Sequence, residues 1–435
     1  MTDKFDAIVV GAGPAGSSAA MQLARAGCKV CLLERGPFPG AKNLFGGVIY
    51  GRVLDQLLPD WRTEAPLQRW VTRRATMILT ETQSLSVDFR STAWGEEPFN
   101  GATALRPEFD AWLASKAVEA GAVLVTSTTA TGLIRDGAGA IIGVRTDRPD
   151  GDLHAGAVVA CDGVNAFLAK EAGCAGTPDP GNYTLGVKEI LALPAAEIER
   201  RFGLAVGEGA DFEILGGTGG VAGGGFLYTN RDTLSVGLVL SLPSLTASGR
   251  RPEDLLAGLK ANPAIAPLIA GAELVEYGAH LIPEAGLSMM PKLAAPGMLI
   301  AGDAAGMCLA TGLWLEGVNY AISSGAAAGE AVAEAVKAGD LSERHLLRTY
   351  RRKLGEGFVL ADLERLKSAP HLVLSYRIQQ RYPHLVCNLV EEMFTVANPA
   401  PKPRLRSLAR IEAKKAGLRW RDLARDAWAS YRALG

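Results

Sequence analysis

Residues 4–35 read KFDAIVVGAGPAGSSAAMQLARAGCKVCLLER, and this stretch decides the fold. The run Phe5–Val10 is apolar and rich in Val and Ile, which is typical of a buried parallel strand. It leads into a G-x-G-x-x-G sequence and then into a helix of small residues, which ends at Gly27. Lys29–Leu33 forms a second apolar strand, which is closed by Glu34. This order of strand, glycine-rich turn, helix and strand predicts the βαβ unit of a dinucleotide-binding domain.

The glycines of the turn have separate physical roles. Gly11 permits the tight turn, Gly13 lets the backbone approach a pyrophosphate, and Gly16 allows helix and strand to pack closely. The helix N-terminus offers unpaired N–H groups and the positive end of the helix dipole to phosphates. Glu34, about 20 residues farther on, is placed to accept hydrogen bonds from a ribose. The stretch therefore predicts an adenine dinucleotide ligand and leaves open which one it is.

Length and composition limit the remaining function classes. The 435 residues are enough for two or three domains with sizeable cores. A formal net charge of −1 does not indicate nucleic-acid binding, although residues 401–435 hold ten Lys or Arg against three Asp or Glu. The six scattered Cys are expected to be buried thiols in a reducing compartment. No signal peptide and no apolar stretch of about 18 residues is recognisable, which predicts a cytoplasmic protein, soluble or peripheral on the inner face of the membrane.

Two later strands end in an acid beside a glycine. Ala157–Cys161 runs into Asp162-Gly163, and Met298–Ala301 runs into Gly302-Asp303, which is followed by an Ala-rich helix at about 318–338. Acids at the carboxyl ends of parallel strands lie where α/β sheets bind ligands, although Asp-Gly also marks ordinary turns. Asp303 would bind ribityl hydroxyls, and the N-terminus of the long helix would face the ring region of a flavin, where negative charge develops on reduction.

The composition changes between about 184 and 283, where β-like segments dominate. The strands that flank Asn230-Arg231-Asp232 indicate an antiparallel hairpin. The predicted fold class is α/β: a Rossmann-type domain with an inserted α+β domain built on an antiparallel sheet, plus a helical C-terminal region. The predicted boundaries are 1–74, 100–183 and 284–340 for the first domain, 75–99 and 184–283 for the inserted substrate domain, and 341–435 for the helical region.

Three further segments are open to two interpretations each. The glycine-rich loop 42–47 is either a connector or a loop that lies over a flavin ring, and the second interpretation is favoured because close backbone approach needs glycines. Residues 216–225 form either a flexible loop or a wall that contacts a ligand. The tail helix places Trp420, Leu423, Ala427, Trp428 and Tyr431 on one face. This face suits either an anionic membrane surface or docking on protein.

Several motifs together resemble a known family. GAGPAG with Glu34-Arg35, Cys161-Asp162-Gly163 and Ala301–Gly306 are similar to the FAD fingerprints of flavoproteins with a p-hydroxybenzoate-hydroxylase-type fold. Within that superfamily the chain resembles the electron-transfer-flavoprotein:quinone oxidoreductases, in the branch of the Fix electron-transfer system. Further similar stretches lie at 40–47, 186–189, 224–230, 280–284 and 383–395, so the resemblance runs essentially from end to end.

The resemblance implies FAD as the cofactor and assigns residues to its site. The implied cofactor-binding residues are Gly11, Gly13, Pro14, Ala15, Gly16, Glu34, Arg35, Lys42, Asn43, Gly46, Gly47, Arg106, Asp162, Gly163, Gly302, Asp303, Gly317, Val318 and Asn319. The implied quinone-pocket residues are Gly223, Gly224 and Phe226, where bare glycine N–H groups would reach a quinone carbonyl. No catalytic acid, base or nucleophile is implied, because the redox centre is the flavin, and no metal site is implied.

The implied activity is electron transfer. FAD would accept electrons from an electron-transfer flavoprotein heterodimer and pass them to quinone, within a bifurcating Fix complex that supplies low-potential electrons for nitrogen fixation. The long quinone oxidoreductases that the chain resembles hold a [4Fe–4S] centre with four C-terminal cysteines. Here only Cys387 lies beyond Cys308, so the resemblance implies that this centre is on a separate ferredoxin-like subunit. Residues 309–317 depart from the form seen in many relatives, which leaves their roles open. The alternatives are an NAD(P)H-dependent flavin hydroxylase or prenyl reductase of the same fold, and an FAD-bearing scaffold subunit.

Overall fold

A computed structural model gives the structure of residues 4–43, 46–312 and 314–434. The strands, in chain order, are β1 (Phe5–Val10), β2 (Val30–Leu33), β3 (Gly46–Ile49), β4 (Leu67–Leu79), β5 (Ser84–Arg90), β6 (Ala102–Leu105), β7 (Val123–Val125), β8 (Ala130–Arg135), β9 (Ile141–Thr146), β10 (Leu153–Ala160), β11 (Tyr183–Ala192), β12 (Glu208–Gly216), β13 (Gly223–Thr229), β14 (Thr233–Ser241), β15 (Glu273–Pro283), β16 (Ala294–Ala295), β17 (Met298–Ile300), β18 (Leu309–Ala310) and β19 (Leu315–Glu316).

The α-helices follow the same order. They are α1 (Pro14–Arg25), α2 (Trp61–Glu64), α3 (Arg106–Glu119), α4 (Phe167–Glu171), α5 (Ala195–Phe202), α6 (Leu242–Ser248), α7 (Pro252–Ala261), α8 (Ala266–Ile269), α9 (Val318–Ala338), α10 (Glu343–Gly355), α11 (Val359–Arg365), α12 (Ala369–Val373), α13 (Tyr376–Gln380), α14 (Tyr382–Phe394), α15 (Leu405–Lys415) and α16 (Trp420–Leu434). Short 3-10 turns include Gly163–Asn165 and Gly302–Ala305.

The chain divides into two compact units. Unit 1 comprises residues 1–68, 104–183 and 281–367, and unit 2 comprises residues 69–103, 184–280 and 368–435. The helical C-terminal region, expected as a separate region, is divided at 367/368: α10 and α11 belong to unit 1, and α12 to α16 belong to unit 2.

Unit 1 is built on a mostly parallel sheet, as the βαβ pattern predicts. Its strand order is β16-β17-β10-β1-β2-β7, and every pair from β17 to β7 is parallel. β2 and β17 are completely buried, as are the last four residues of β1 and of β10, which explains why these stretches read as continuous apolar runs. Because the strands are parallel, the residues that follow β1, β2, β10 and β17 meet at one edge of the sheet.

Helix α1 packs directly on helix α9 through glycines. A Cβ on Gly325 would lie 2.0 Å from the carbonyl oxygen of Ala15, and one on Gly329 would lie 2.4 Å from that of Ala19. The missing side chains therefore let the two backbones touch. Gly302 also lies against this contact, since a Cβ there would lie 2.8 Å from the Ala15 Cβ. This packing holds Gly302–Ala305 against the N-terminal turn of α1.

Unit 2 is built on a second sheet, in which β15, β11, β14, β13, β12, β4 and β6 follow one another, and β5 pairs with β4. The predicted hairpin at 230–232 is confirmed, with Thr229 opposite Leu234 across β13 and β14. The expectation of an antiparallel sheet is wrong for one pair, because β12 runs parallel to β4. These two strands are far apart in sequence, so no tight turn imposes an antiparallel pairing.

One face of this second sheet forms the core of unit 2. Its members are buried apolar residues that alternate along the strands and pack with residues of α5 and α7; they include Ala75, Met77, Val187, Phe212, Ile214, Leu227, Val236, Leu238, Ile198, Phe202, Leu255 and Leu259. The residues between them on each strand point to the opposite face. That opposite face carries polar and charged side chains.

The C-terminal helices of unit 2 form a small cluster of their own, with Leu385, Ala413 and Leu418 at its centre. Helix α16 contacts this unit through acids rather than through its aromatic residues. Asp426 accepts hydrogen bonds from Arg377 and from the Tyr382 hydroxyl at 3.0 Å. Within the described part of the chain, no helix combines the length and hydropathy that crossing a bilayer requires.

Candidate functional site

The glycine-rich turn after β1 has the shape of a phosphate cradle. Gly11 has φ 97°, and a Cβ there would lie 2.3 Å from the Cys161 carbonyl oxygen. A Cβ on Gly16 would lie 1.8 Å from the Gly11 carbonyl oxygen. A Cβ on Gly13, in contrast, would meet only Arg106 Nη2, at 4.0 Å. Backbone packing within the protein thus requires glycine at positions 11 and 16. Gly13 has no such contact, so its lack of a side chain leaves room for a ligand.

Helices α1 and α9 begin at or beside the carboxyl edge of the unit 1 sheet. Neither has an acid in its first turn. Helix α1 begins after Gly13 with Pro14 at its first position, and helix α9 begins at Val318 after Gly317. Neither N-terminus is capped by a side chain among the described residues. Their free N–H groups and positive dipole ends suit a pyrophosphate and a flavin ring that becomes negative on reduction.

Glu34 is fixed at the end of β2, as predicted for a ribose-binding acid. Its Oε2 accepts a hydrogen bond from the Ala12 N–H at 3.1 Å, and its Oε1 accepts one from the Gly36 N–H at 2.7 Å. The residue is 8% exposed. Each carboxylate oxygen can accept more than one hydrogen bond, so a ribose hydroxyl can still bind. Its neighbour Arg35 is exposed.

Arg106, at the start of α3, is held by a buried acid. Its Nε donates to Asp110 Oδ1 at 2.6 Å and its Nη2 donates to Asp110 Oδ2 at 2.8 Å. Asn43 Nδ2 also donates to Asp110, at 3.1 Å. Burial acts to lower the pKa of Arg106, but the charges of Asp110 and Asp303 and the hydrogen bonds to Asp110 outweigh it and raise that pKa. Arg106 is therefore a fixed cation next to Gly13, where it can contact a phosphate.

The two strand-end acids, Asp162 and Asp303, lie in the same region of unit 1. Asp162 Oδ2 accepts a hydrogen bond from the Leu168 N–H at 3.0 Å, whereas its buried Oδ1 has no partner among the described residues. Burial raises the pKa of both carboxyl groups, and the Arg106 charge opposes this at Asp303. A buried carboxylate oxygen without a partner is costly, so ligand hydroxyl groups would fit here.

The structure modifies two of the expected segments. Of the loop 42–47, Leu44 and Phe45 lie outside the described residues, and Gly46-Gly47 open strand β3 rather than continue the loop. The following Val48 and Ile49 are β-branched and favour an extended backbone. The segment 309–317 forms the short hairpin of β18 and β19, with Leu313 outside the described residues. Asn319 follows it, is 5% exposed, and donates to Glu316.

The quinone-pocket candidates lie in unit 2, on β13. The Gly223 N–H donates to Gln379 Oε1 at 2.9 Å, so the expectation of a bare N–H group is wrong at this residue. A Cβ on Gly223 would lie 2.0 Å from the Val239 carbonyl oxygen, and one on Gly224 would lie 2.8 Å from that of Ile214. Strand pairing therefore already requires both glycines. The ring of Phe226 stacks on that of Tyr228 with 4.9 Å between centroids.

Sequence reasoning missed three features of these regions. Asp110 was detectable, since it lies four residues after Arg106 in a helix that Pro107 opens. The Gln379 contact with Gly223 had no signal, because 156 residues separate the two. The buried acids Asp211 and Glu213 alternate with Phe212 and Ile214, a pattern that ordinarily indicates a solvent-facing polar side.

The cysteines are free thiols in the structure, five of them buried and Cys28 half-buried. Burial raises the pKa of Cys31 to about 11 and also raises those of Cys161 and Cys308. They therefore remain protonated near neutral pH.

Comparisons with known proteins indicate an FAD-binding domain. Residues 4–199 match the family model described as an FAD binding domain, and residues 369–435 match the one described as the ETF-QO/FixC family C-terminal domain. Among solved structures, a geranylgeranyl bacteriochlorophyll reductase-like protein from Thermoplasma acidophilum has a TM-score of 0.73 at 19% identity, covering 95% of this chain and 98% of the other. A myxobacterial FAD-dependent halogenase has a TM-score of 0.67 at 19% identity, covering 95% and 97%. At 19% identity, these two similarities show a common fold and nothing about function.

The fold and the cradle thus define the class, which is that of FAD-dependent flavoproteins with an α/β fold. Three curated relatives define the family. Protein FixC of Salmonella typhi is 41% identical over 418 residues, which cover 95% of this chain and 96% of the relative. Protein FixC of Bradyrhizobium diazoefficiens is 37% identical over 441 residues, 99% of each. The probable electron transfer flavoprotein-quinone oxidoreductase YdiS of Escherichia coli K12 is 39% identical over 417 residues, 96% of each. The chain belongs to the FixC family of flavoproteins.

Proposed function

We propose that this chain takes electrons from an electron-transfer flavoprotein heterodimer and delivers them to a quinone. The observation that carries the proposal is the presence, in one chain, of the FAD cradle in unit 1 and of a C-terminal domain of the ETF-QO/FixC type at residues 369–435. A relative that is 39% identical over nearly its whole length bears the name of a probable electron transfer flavoprotein-quinone oxidoreductase.

Bound FAD supplies the redox chemistry, because its ring accepts and donates one or two electrons. The chain's own residues hold and orient it in this proposal. The turn at Gly11–Gly16 and the cation of Arg106 bind the pyrophosphate, Glu34 binds the adenosine ribose, and Asp303 binds the ribityl chain. The N-terminus of α9 stabilises negative charge on the reduced ring. No acid, base or nucleophile is needed for covalent chemistry.

The choice of electron donor tests this proposal. The FAD-loaded protein is mixed without oxygen with reduced electron-transfer flavoprotein in one experiment and with NADPH in the other, and the flavin absorbance is followed. We expect rapid bleaching with the flavoprotein and none with NADPH. Rapid bleaching by NADPH alone would instead support a flavin hydroxylase or prenyl reductase. A flavin that neither donor reduces would support a scaffold subunit.

We further propose that the chain works inside a Fix-type complex. Its partners would be the flavoprotein heterodimer and a ferredoxin-like protein that carries the [4Fe–4S] centre, and the complex would bifurcate electrons to supply low-potential electrons for nitrogen fixation. Relatives at 41% and 37% identity are named Protein FixC, which supports the Fix-type assignment. Affinity purification of the chain from its own cells tests it: the flavoprotein subunits and an iron–sulfur protein should co-purify in fixed ratio, and purification of the chain alone would contradict it.

We also propose that α16 lies on an anionic membrane surface, where a lipid-soluble quinone is found. Its aromatic residues Trp420, Trp428 and Tyr431 are 58%, 61% and 67% exposed. The same helix carries several arginines, and its acids Asp422 and Asp426 are buried. Basic and aromatic exposure together suits the headgroup region of an anionic bilayer. The protein should sediment with vesicles that contain phosphatidylglycerol, and the variant W420A/W428A/Y431A should not; equal sedimentation of both would contradict the proposal.

A further inference from the structure

The polar face of the unit 2 sheet contains a buried pair of carboxyl groups. Asp211 and Glu213 lie two residues apart on β12 and therefore share this face, and their side chains are 3% and 8% exposed. Among the described residues, each acid forms an ion pair with Arg74, on the neighbouring strand β4. Arg74 Nη2 contacts Glu213 Oε1, and Arg74 Nε lies 3.5 Å from Asp211 Oδ2. The guanidinium of Arg74 thus faces two acids.

Each acid also has one carboxylate oxygen that makes no hydrogen bond with the described residues. Asp211 Oδ1 and Glu213 Oε2 are buried and have no hydrogen-bond partner among the described residues. Two ionised carboxylates beside one guanidinium would leave a net negative charge in a poorly solvated place, which is costly. A single proton on the pair removes that charge and turns a carboxylate oxygen into a donor.

The electrostatic environment favours such a proton near neutral pH. Burial raises the pKa of Asp211 to about 6 and, together with the charge of Asp211, raises the pKa of Glu213 to about 7, while Arg74 lowers both. These are interacting groups, so the pair titrates as a unit. The same face also carries Tyr228, which is opposite Asp211 on β13, and Lys188, which lies in the row of Glu213 on β11.

The pair lies beside two stacked aromatic rings on β13. Across β12 and β13, Glu213 is opposite Phe226 and Asp211 is opposite Tyr228, so the acids and the stacked rings share one face. Phe226 is one of the quinone-pocket candidates. A flat aromatic surface with a carboxyl proton next to it is a chemically suitable neighbour for a ring that gains electrons and protons together.

We propose that Asp211 and Glu213 form a proton-storing pair, which holds one carboxyl proton and supplies it to a quinone-class ring during reduction. This inference rests on the proposed function. A quinone takes two electrons, from the reduced flavin, and two protons, and becomes a hydroquinone. One carboxyl O–H bond of the pair breaks and one O–H bond of the hydroquinone forms, while the second proton comes from water. The pair regains its proton from solvent, which reaches the 20% exposed side chain of Arg74.

Storage is tested by infrared spectroscopy of the FAD-loaded protein. Near pH 6.5 the wild type should have a C=O stretching band of a protonated carboxyl group, which disappears in E213Q and in D211N. The matched control is D88N. Asp88 also pairs with an arginine, Arg73, on the same sheet, but hydrogen bonds from Arg73 hold its pKa below the ordinary value, so the band should remain in D88N. A band that persists in both E213Q and D211N would overturn the proposal.

Delivery is tested by the two half-reactions, measured separately. Reduction of the bound flavin by the electron-transfer flavoprotein should be unchanged in E213Q. Reoxidation by a water-soluble quinone should be at least tenfold slower, and its decline above about pH 7, expected of the wild type, should disappear. Equal reoxidation rates and pH profiles in wild type, E213Q and D211N would overturn delivery. A wild type that no quinone oxidises would overturn the proposed acceptor and with it the delivery step, whereas the infrared band would still decide storage.

Discussion

Arg106 in unit 1 and Arg74 in unit 2 are both arginines that contact buried acids, but the two clusters are balanced differently. Arg106 hydrogen bonds to both oxygens of one acid, Asp110, and the charge of Asp303 also acts on it. Arg74 is divided between Asp211 and Glu213, and each of these acids keeps one buried oxygen without a described partner. In the first cluster, both oxygens of the hydrogen-bonded acid have a partner. In the second cluster, two acids share one guanidinium, and each keeps a buried oxygen without a described partner.

This difference indicates different roles. A matched and satisfied pair fixes a cation in place, as a phosphate-binding site requires. Two buried carboxylates beside one guanidinium carry an excess negative charge, and binding a proton is the simplest way to remove it. We therefore infer different roles for the two clusters. Arg106 in unit 1 is the cation that binds the cofactor, and the acid pair in unit 2 holds a proton beside the rings of Phe226 and Tyr228.

Removing the acid of the matched cluster should have the largest effect. D110A leaves the Arg106 charge buried without its main partner, so we expect the free energy of unfolding to fall by about 3–5 kcal/mol. FAD affinity should fall as well, because Arg106 is no longer held next to Gly13. Chemical denaturation and flavin fluorescence titration measure the two effects.

The matched control is D88A, which removes an acid with a similar arginine contact from an exposed site. Surface ion pairs contribute little, so D88A should change the free energy of unfolding by less than about 1 kcal/mol. Equal effects of D110A and D88A would contradict the distinction between a buried, matched pair and an exposed one.

The glycine contact that builds the cradle should give the next largest effect. G325A places a Cβ 2.0 Å from the Ala15 carbonyl oxygen, so the helices α1 and α9 must separate, and we expect a loss of about 1–3 kcal/mol together with weaker FAD binding. Thermal unfolding with and without FAD measures both.

In unit 2, Gly258 lies inside helix α7, and a Cβ there would meet nothing within 4 Å. G258A should therefore stabilise the protein by about 0.5–1 kcal/mol, because alanine loses less backbone entropy in a helix than glycine does. If both variants shifted stability in the same direction, the packing role assigned to Gly325 would be wrong.

The unmatched cluster predicts a smaller effect that depends on pH. The folded-state pKa of Glu213 is raised from 4.5 to about 7, so the folded protein binds this proton more tightly than the unfolded chain does. The wild type should therefore lose stability as the pH rises through this window, and E213Q should not. The difference in free energy of unfolding between E213Q and wild type should therefore shift in favour of E213Q by about 1–2 kcal/mol between pH 5 and pH 8.

Urea denaturation at several pH values measures this difference. D88N is the control, because the lowered pKa of Asp88 keeps it ionised across the window and its difference from wild type should not change. A difference between E213Q and wild type that is constant with pH would show that the pair carries no proton in this range.

The fold of unit 1 and most of its cradle could be predicted because their determinants are local. The glycine turn, Glu34 and the strand-end acids are each specified by neighbours in sequence, and parallel strands bring their ends to one edge. The arrangement in unit 2 could not be predicted in this way. The contact of Arg74 with Glu213 depends on the register of β4 against β12, which are separated by 139 residues, and nothing local distinguishes Glu213 from a solvent-facing acid. The Gly223–Gln379 hydrogen bond depends likewise on how a distant helix packs.

Sequential mixing follows both electron-transfer steps in one experiment. FAD-loaded protein is first mixed without oxygen with one equivalent of reduced electron-transfer flavoprotein and then, after the flavin has bleached, with a water-soluble quinone. We expect bleaching in the first step and recovery of the oxidised flavin spectrum in the second, with formation of hydroquinone. A flavin that stays oxidised after the first mixing, or stays reduced after the second, would contradict the claim that this chain carries electrons from the flavoprotein to quinone.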